Sequence, residues 1–254
     1  MPEPATTSDA GLVRLAALHA AVVAAPVLVL ALLLRLWIVA LPLAIVVGVV
    51  VTAIRLRDVD DRIARTIGAR AVDAAEVPRL AGLTESVAMA AGVAAPRLFL
   101  IDSPSVNAVN WGMGNGPCCL AVTTGMLDVA DPVALEAVVG HHLARASARS
   151  LDVTTMAATL FGPFAKGPLT GPVVSLVQGD EERSVVMADL EGVRATRYPP
   201  GMVGILEVLR GHESRLDQVP PALAGLCFAA PHEGPDPFAV HPPVDDRIDL
   251  LREI

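Results

Sequence analysis

One short stretch of the chain combines residues that could hold a metal ion, the segment EAVVGHHLARASARS from Glu136 to Ser150. Zinc peptidases carry the pattern His-Glu-x-x-His on a helix, because two histidines four residues apart share one face and the glutamate can act as general base. Here His141 is followed by His142 at the glutamate position and by Arg145 at the second histidine position. The stretch therefore has the expected histidine at the first ligand position, but not the glutamate or the second histidine of such a site.

The residues before this stretch predict where its helix begins. Asp131 is a favourable N-cap residue, and Pro132 suits the first helical position. At about 100° per residue, His141 and Arg145 lie one turn apart on the same face. That face is otherwise lined by small or β-branched residues: Ala134, Ala137, Val138, Ala144 and Ala148.

The composition describes a membrane-attached protein. The chain has 254 residues, of which 53% are hydrophobic, and its mean hydropathy of +0.56 is too high for an ordinary soluble domain. A net charge of −8 argues against a nucleic-acid partner. The cysteines Cys118, Cys119 and Cys227 are too few for a disulfide framework and indicate reduced, packed thiols.

The N-terminal part predicts a transmembrane hairpin. Residues 1–10 are polar and are expected to be a disordered tail, whereas residues 11–56 are almost wholly apolar and long enough for two spans of about 20 residues. Arg35 and Trp37 mark the turn between spans 12–33 and 37–54. His19 is expected at the membrane interface.

Arginines follow the second span and predict the orientation of the protein. They are Arg55, Arg57, Arg62, Arg65 and Arg70. Because cationic loops stay on the cytoplasmic side, residues 57–254 are expected to form a cytoplasmic domain of a multi-pass plasma-membrane protein, with the lipid bilayer as a partner.

The domain itself is expected to be α+β and mainly helical, with a small β-sheet. Strands are predicted at 96–102 and 117–123, and a turn-rich loop joins them. Residues 151–178 are apolar but are broken by glycines and prolines, which favours an interfacial or re-entrant segment. Helices follow at DEERSVVMADLEGVRATR and after Tyr198, and the segment HPPVDDRIDLLREI ends in another helix.

Five segments, in order, resemble the HtpX-like membrane zinc metallopeptidases of the gluzincin group. They are the N-terminal hairpin, PRLFLIDSPSVNAVNWG with LAVTTGML, DPVALEAVVGHHLARASARS, ADLEGVRATRYPPGMVGILEVL and HPPVDDRIDLLREI. The resemblance covers nearly the whole chain. It implies a metallopeptidase-like domain behind a two-helix transmembrane hairpin.

The resemblance also assigns roles to positions. It places the metal ligands at His141, Arg145 and Val185, and the general base at His142. It places a carboxylate that supports a ligand histidine at Asp189, and a residue near the active site at His241. The family's Asn-Ala loop falls on Asn107 and Ala108, and its cleft edge strand on Cys119, Leu120, Ala121 and Val122.

These positions predict that the chemistry is lost. Arginine is a permanent cation and cannot coordinate zinc, and valine has no donor atom. Without metal or base no bound water is activated, so no cofactor is expected. A site of His141, Glu181 and His241 would hold zinc if activity survives. Arg145 is expected to replace the metal electrostatically and to pair with Asp189.

Three functions remain open at this point. The leading hypothesis is a catalytically degenerate membrane protein that binds a peptide or a membrane-protein partner in the old cleft, by pairing with an exposed strand edge. The second is an active zinc metalloendopeptidase with an atypical metal site. The third is a structural accessory subunit of a membrane complex.

Overall fold

The structure is a computed structural model that describes residues 6–33, 37–114, 116–147, 150–162, 181–232 and 241–254. The helices among these residues are α1 (Thr6–Leu33), α2 (Trp37–Leu56), α3 (Val59–Thr66), α4 (Pro78–Ala91), α5 (Thr124–Val129), α6 (Pro132–Ser147), α7 (Ser150–Phe161), α8 (Glu181–Thr196), α9 (Pro199–Gly211) and α10 (Val244–Arg252). The strands are β1 (Ala69–Ala71), β2 (Arg97–Ile101), β3 (Ala108–Trp111) and β4 (Cys119–Thr123), and a 3-10 helix spans Pro221–Leu226. The predicted fold class, mainly helical with a small sheet, is confirmed.

The four strands form one mixed sheet in the order β1-β2-β4-β3. Strand β4 pairs in parallel with β2 and antiparallel with β3, and β1 is antiparallel to β2. Every residue of β3 and of β4 is buried. The sheet is therefore covered on both faces where these two strands run.

The prediction that Cys119 to Val122 form an exposed edge strand is wrong. Ala121 of β4 lies opposite Phe99 of β2 on one side and opposite Val109 of β3 on the other, so β4 is internal. A strand with apolar residues on both faces suits the inside of a sheet. The outer strands are β1 and β3, and the Asn-Ala segment lies at the start of β3, with Asn107 directly before the strand and Ala108 as its first residue.

Helix α1 begins at Thr6, inside the stretch expected to be a disordered tail, and residues 1–5 lie outside the described residues. Helices α1 and α2 pack side by side: the Nδ1 atom of His19 is 2.8 Å from Oγ1 of Thr52. A Cβ added at Gly48 would lie 2.6 Å from the carbonyl oxygen of Ala20, so only glycine permits this approach. His19 is buried between the helices.

In the described part of the chain, one stretch is long and apolar enough to cross a membrane, Gly11–Leu30 in α1. The apolar stretch Leu41–Leu56 of α2 is shorter. Helix α7, the first part of the segment predicted to be interfacial, is a continuous helix. Its Leu160 and Phe161 pack inside the protein with Leu15 of α1. The remainder of that segment, 163–178, lies outside the described residues.

Candidate functional site

His141, His142 and Arg145 lie on α6, which forms as its sequence predicts. The side chain of Asp131 accepts a hydrogen bond of 2.8 Å from the backbone N–H of Ala134 and so caps the helix. His141, His142 and Arg145 are all buried, with at most 1% of their surface exposed. The face of α6 that carries these three residues therefore lies inside the protein.

Helix α8 crosses α6 at two glycines and brings its own site positions close. A Cβ at Gly192 would lie 2.6 Å from the backbone nitrogen of His141, and one at Gly140 would lie 3.0 Å from the carbonyl oxygen of Gly192. This backbone contact places Asp189 of α8 against His141. Val185 is one helical turn before Asp189 and is 1% exposed.

Asp189 is the centre of a buried polar network. Nδ1 of His141 lies 2.7 Å from Oδ1 of Asp189. Arg247 of α10 donates from Nε to Oδ2 at 2.7 Å and from Nη2 to Oδ1 at 2.8 Å. Burial alone raises the pKa of the Asp189 carboxyl, but the charge of Arg247 and the hydrogen bonds from His141 and Arg247 lower that pKa to about 2.

The cation that pairs with Asp189 is therefore Arg247, and the predicted Arg145–Asp189 pair is wrong. Arg247 also donates from Nη1 to the carbonyl oxygen of Phe228 at 3.0 Å. Arg145 instead lines a groove of about 840 Å³ between α4, α6 and α8, whose walls include Ala144 and Ala188. The sequence alone predicted no role for Arg247. The available signal was its position next to Ile248 on a short amphipathic helix, where both residues are buried.

The buried histidines are neutral at pH 7. Burial lowers the pKa of His141 to about 4, against the opposing effect of Asp189. Since Nδ1 of His141 donates to the carboxylate, its Nε2 atom carries the lone pair, as in a metal-binding histidine. That Nε2 atom is buried and has no hydrogen-bond partner among the described atoms.

His142 and His241 complete the polar cluster. Burial, followed by the nearby charges, holds the pKa of His142 well below its usual value, and neither of its ring nitrogens has a hydrogen-bond partner in the described residues. Nε2 of His241 donates to the carbonyl oxygen of Cys227 at 2.8 Å, and burial lowers the pKa of His241 to about 3. The charges of Arg247 and Arg145 are close enough to His241 to lower its pKa further. His241 therefore lies near the site, as the resemblance implies.

The residues of this site do not fit a catalytic zinc ion. His141 presents a suitable donor, but Arg145 is a permanent cation and Val185 is apolar, and a catalytic zinc needs about three protein ligands. Within the described ranges, no group of three or more His, Cys, Asp or Glu side chains is placed to hold a metal ion. The side chain of Glu181 lies outside the described part, so the alternative set of ligands stays a prediction.

The aromatic ring of Phe228 occupies the centre of the cluster. Its centroid is 5.0 Å from the ring of His141, perpendicular to it, and 5.9 Å from the ring of His142. The guanidinium carbon of Arg247 lies 4.9 Å from the Phe228 centroid, in cation–π geometry. Phe228 is fully buried, so an apolar side chain fills the space beside the rings of His141 and His142.

The Asn-Ala segment lies at the start of β3 and makes hydrogen bonds to distant parts of the chain. The side-chain amide of Asn107 donates to the carbonyl oxygens of Ser214 and Ala229 at 2.7 and 3.0 Å. In return the N–H of Ala229 donates to Oδ1 of Asn107 at 3.2 Å. The N–H of Phe228 donates to the carbonyl oxygen of Ala108 at 2.8 Å.

Comparison with known proteins identifies the family of the chain. The family model "Peptidase family M48" matches residues 74–254. Relatives named "Protease HtpX homolog" from Streptococcus pyogenes serotypes M28, M5 and M1 are each 27% identical over 256 residues, which is 84% of this chain and 86% of theirs. No solved structure matches the chain. The chain thus belongs to peptidase family M48, as an HtpX-like member.

Proposed function

We propose that this protein is a catalytically inactive, membrane-attached member of family M48 that binds a polypeptide or membrane-protein partner without cleaving it. The observation that carries the proposal is the identity and burial of Arg145 and Val185, which stand at two of the family's three ligand positions. Both are 1% exposed. A buried guanidinium repels a metal cation, and a buried valine offers it no electrons.

The general base is also absent. Peptide hydrolysis in this family type needs a metal-bound water and a carboxylate that accepts its proton. His142 stands in the place of that carboxylate, and its lowered pKa makes it a weak proton acceptor. Loss of ligands and loss of base point to the same conclusion, since each alone would stop the reaction.

One observation favours the alternative, an active zinc endopeptidase with an atypical site. Nε2 of His141 is oriented and held by Asp189 as a metal ligand would be. The described residues around this nitrogen do not supply two further metal ligands, so we prefer the inactive protein to the active endopeptidase.

Metal content and proteolysis test the proposal together. The purified full chain in detergent, incubated with zinc and desalted, is expected to retain no stoichiometric zinc and to leave casein intact. Close to one zinc per chain, with cleavage that a chelator stops, would overturn the proposal.

A repaired variant is the positive control. His142→Glu, Arg145→His and Val185→Glu together restore the family residues, and the unchanged α6–α8 contact should place them correctly. We expect this variant to gain tight zinc binding, measured by atomic absorption, while the wild type does not. A folded triple variant that binds no zinc would mean that the inherited cleft has closed.

The membrane part of the proposal is a two-helix transmembrane hairpin of α1 and α2, with the domain on the cytoplasmic side of the plasma membrane. Large apolar side chains on α2, such as Leu43 and Val46, are 52% and 56% exposed and suit contact with lipid. Arg55 lies in the last turn of α2. Accessibility of cysteines introduced at exposed domain positions tests this: labelling from the periplasmic side would contradict it.

A further inference from the structure

We propose that the groove between α4, α6 and α8 binds an anionic phospholipid, with the phosphate against the arginines of the groove and an acyl chain along its walls of small residues. The inference does not depend on whether the protein cleaves peptides. It gives a ligand class to a part of the molecule that the proposed function does not use.

The groove lies on the side of α8 that faces away from the site around Asp189. Met187 lines the groove, whereas Asp189, two positions later, contacts His141 of α6. At about 100° per residue, these two side chains leave α8 in nearly opposite directions. A ligand in the groove therefore leaves the polar network of Asp189 in place.

The lining of the groove is positively charged, although the chain as a whole has a net charge of −8. Its side chains include three arginines, Arg145, Arg183 and Arg194, and one acidic residue, Glu191, which pairs with Arg194. Arginine suits phosphate, because the planar guanidinium can donate two parallel hydrogen bonds to it. A ligand with a phosphate group therefore complements the charge of the groove.

Arg183 is the arginine that is best placed to meet an incoming headgroup. Its side chain is exposed, and it has no ion pair within the described part of the chain. The hydroxyl group of its neighbour, Ser184, also lines the groove. The start of α8 thus supplies a free cation and a hydroxyl donor side by side.

The walls of the groove are made mainly by small side chains. They are Ala90 and Ala91 of α4, Gly140 and Ala144 of α6, and Ala188 and Ala195 of α8. Met187, which is 42% exposed, adds a flexible apolar side chain. An acyl chain needs apolar contact and no hydrogen bonds, so it suits these walls.

The size of the groove favours a lipid over a helix of a partner protein. Its volume of about 840 Å³ is within the range of roughly 300–1,000 Å³ that is usual for small-molecule sites. A helix with its side chains is about 10–12 Å across, so three turns occupy on the order of 1,400 Å³. Such a helix would lie largely outside the groove.

The groove is also close to the apolar N-terminal helix. Ser147 lines the groove, and Met156, nine positions later, packs with Leu15 of α1. Three extended residues and six helical residues span at most about 20 Å. Leu15 belongs to the stretch Gly11–Leu30, which is long and apolar enough to cross a membrane. A phospholipid of that bilayer is therefore within reach of the groove.

Native mass spectrometry of the full chain in a neutral detergent tests the proposal. The probes are dihexanoyl phosphatidylglycerol, which is anionic, and dihexanoyl phosphatidylcholine, which has the same acyl chains and a phosphate but no net charge. We expect one phosphatidylglycerol per chain, bound at least about tenfold more tightly than phosphatidylcholine. Glycerol phosphate, which has no acyl chain, should bind at least about tenfold more weakly than phosphatidylglycerol. Equal binding of the two lipids, or binding of glycerol phosphate as tight as that of the lipid, would overturn the proposal.

A charge variant tests the role of the arginines. Arg183→Ala combined with Arg194→Ala should lower the affinity for phosphatidylglycerol about tenfold and leave that for phosphatidylcholine unchanged. Both side chains are exposed, so the variant should fold. Arg70→Ala is the matched control, because Arg70 is also exposed and pairs with a glutamate, Glu76, outside the groove. An equal loss in the control would mean that the lipid is attracted to basic surface in general, which contradicts a site in the groove.

A size variant tests the walls. Ala91→Leu fills the groove from an exposed position of α4 and should weaken the binding of both lipids several-fold. Ser86→Leu adds the same side chain at an exposed position of α4 outside the groove and should bind both lipids like wild type. Thermal unfolding checks that both variants are folded. Wild-type binding by folded Ala91→Leu would show that the acyl chain does not lie in the groove.

Discussion

The two halves of the altered zinc site differ in how completely their polar groups are satisfied. On the side of Asp189, both carboxylate oxygens, Nδ1 of His141 and the guanidinium of Arg247 are joined by hydrogen bonds of 2.7–2.8 Å. On the side where a metal would lie, Nε2 of His141 and both nitrogens of His142 have no hydrogen-bond partner in the described structure. The Asp189 side of the site therefore links α6, α8 and α10, whereas these nitrogens of His141 and His142 add no link between helices in the described structure.

This difference teaches which residues of the site the fold itself needs. The side chains that bind Asp189 are those of His141 and Arg247, whereas Arg145 lines the groove between α4, α6 and α8. Asp189 and Arg247 link α8 to α10, and Asp189 also links α8 to α6. Their loss would leave a buried charge alone, which costs more than the pair contributes. The fold therefore needs both residues whether or not the site is catalytic.

The sharpest way to break the comparison is to remove Arg247. Arg247→Ala leaves the Asp189 carboxylate buried and uncompensated, and we expect a loss of about 3–5 kcal/mol in the free energy of unfolding. Arg252→Ala on the same helix is the control, because its pair with Glu207 is exposed and is worth under about 1 kcal/mol. Denaturant unfolding in detergent measures both. Similar losses in the two variants would contradict the structural role of the buried pair.

Acid should act on the ligand half before the supporting half. The pKa of His141 is lowered from 6.5 to about 4, so between these pH values the unfolded chain binds a proton that the folded chain does not. Stability is therefore complete above pH 6.5 and falls as the pH drops toward 4, with His142 and His241 adding in the same direction. Asp189 contributes a further loss only between its usual pKa, near 4, and about 2. Unfolding curves at about pH 7.5 and pH 5 should differ by roughly a few kcal/mol, and identical curves would show that the histidines are solvated.

The helix crossing that joins the halves can be tested with one methyl group. Gly192→Ala places a Cβ 2.6 Å from the backbone nitrogen of His141, and backbone cannot move aside cheaply. We expect a loss of about 1–3 kcal/mol. Gly204→Ala on α9 meets no atom within 4 Å and should be neutral or stabilising by up to about 1 kcal/mol. Thermal unfolding compares them, and equal shifts would argue against the close approach.

The smallest expected effect has the opposite sign. His142→Phe removes two buried, unsatisfied nitrogens and should stabilise the domain by about 1 kcal/mol. The exposed His212→Phe is the control and should change stability by no more than about 0.5 kcal/mol. A clear loss of stability in His142→Phe would indicate that its nitrogens are satisfied by bound water. The two halves of the site would then differ less in their hydrogen bonding than the protein atoms alone indicate.

The sequence predicted the local features of the site better than the distant ones. Asp131 as N-cap, the helix of His141 and the position of Asp189 follow from spacing and resemblance within single segments. Arg247 is 58 positions from Asp189 along the chain. Motifs within single segments carry no signal for a contact between distant segments. The prediction therefore paired Asp189 with Arg145, the arginine of the motif itself, rather than with Arg247.

The strand order failed for a related reason. An apolar run such as residues 119–123 shows that a strand is buried, but it does not show which strands flank it. Two neighbours, β2 and β3, make β4 internal. The edge strand beside β4 is instead β3, Ala108–Trp111. Cys227, from a distant part of the chain, pairs with Val109 of this strand.

The pair of Asp189 and Arg247 also constrains the order of events during synthesis. A nascent chain in which α6 and α8 have emerged but α10 has not contains a carboxylate beside His141 without its guanidinium. Docking of these helices is therefore disfavoured until Arg247 leaves the ribosome, and contacts so distant in sequence form late. Until then the apolar faces of α6 and α8 stay exposed to solvent. The same ion pair that stabilises the finished domain thus delays the assembly of the unfinished one.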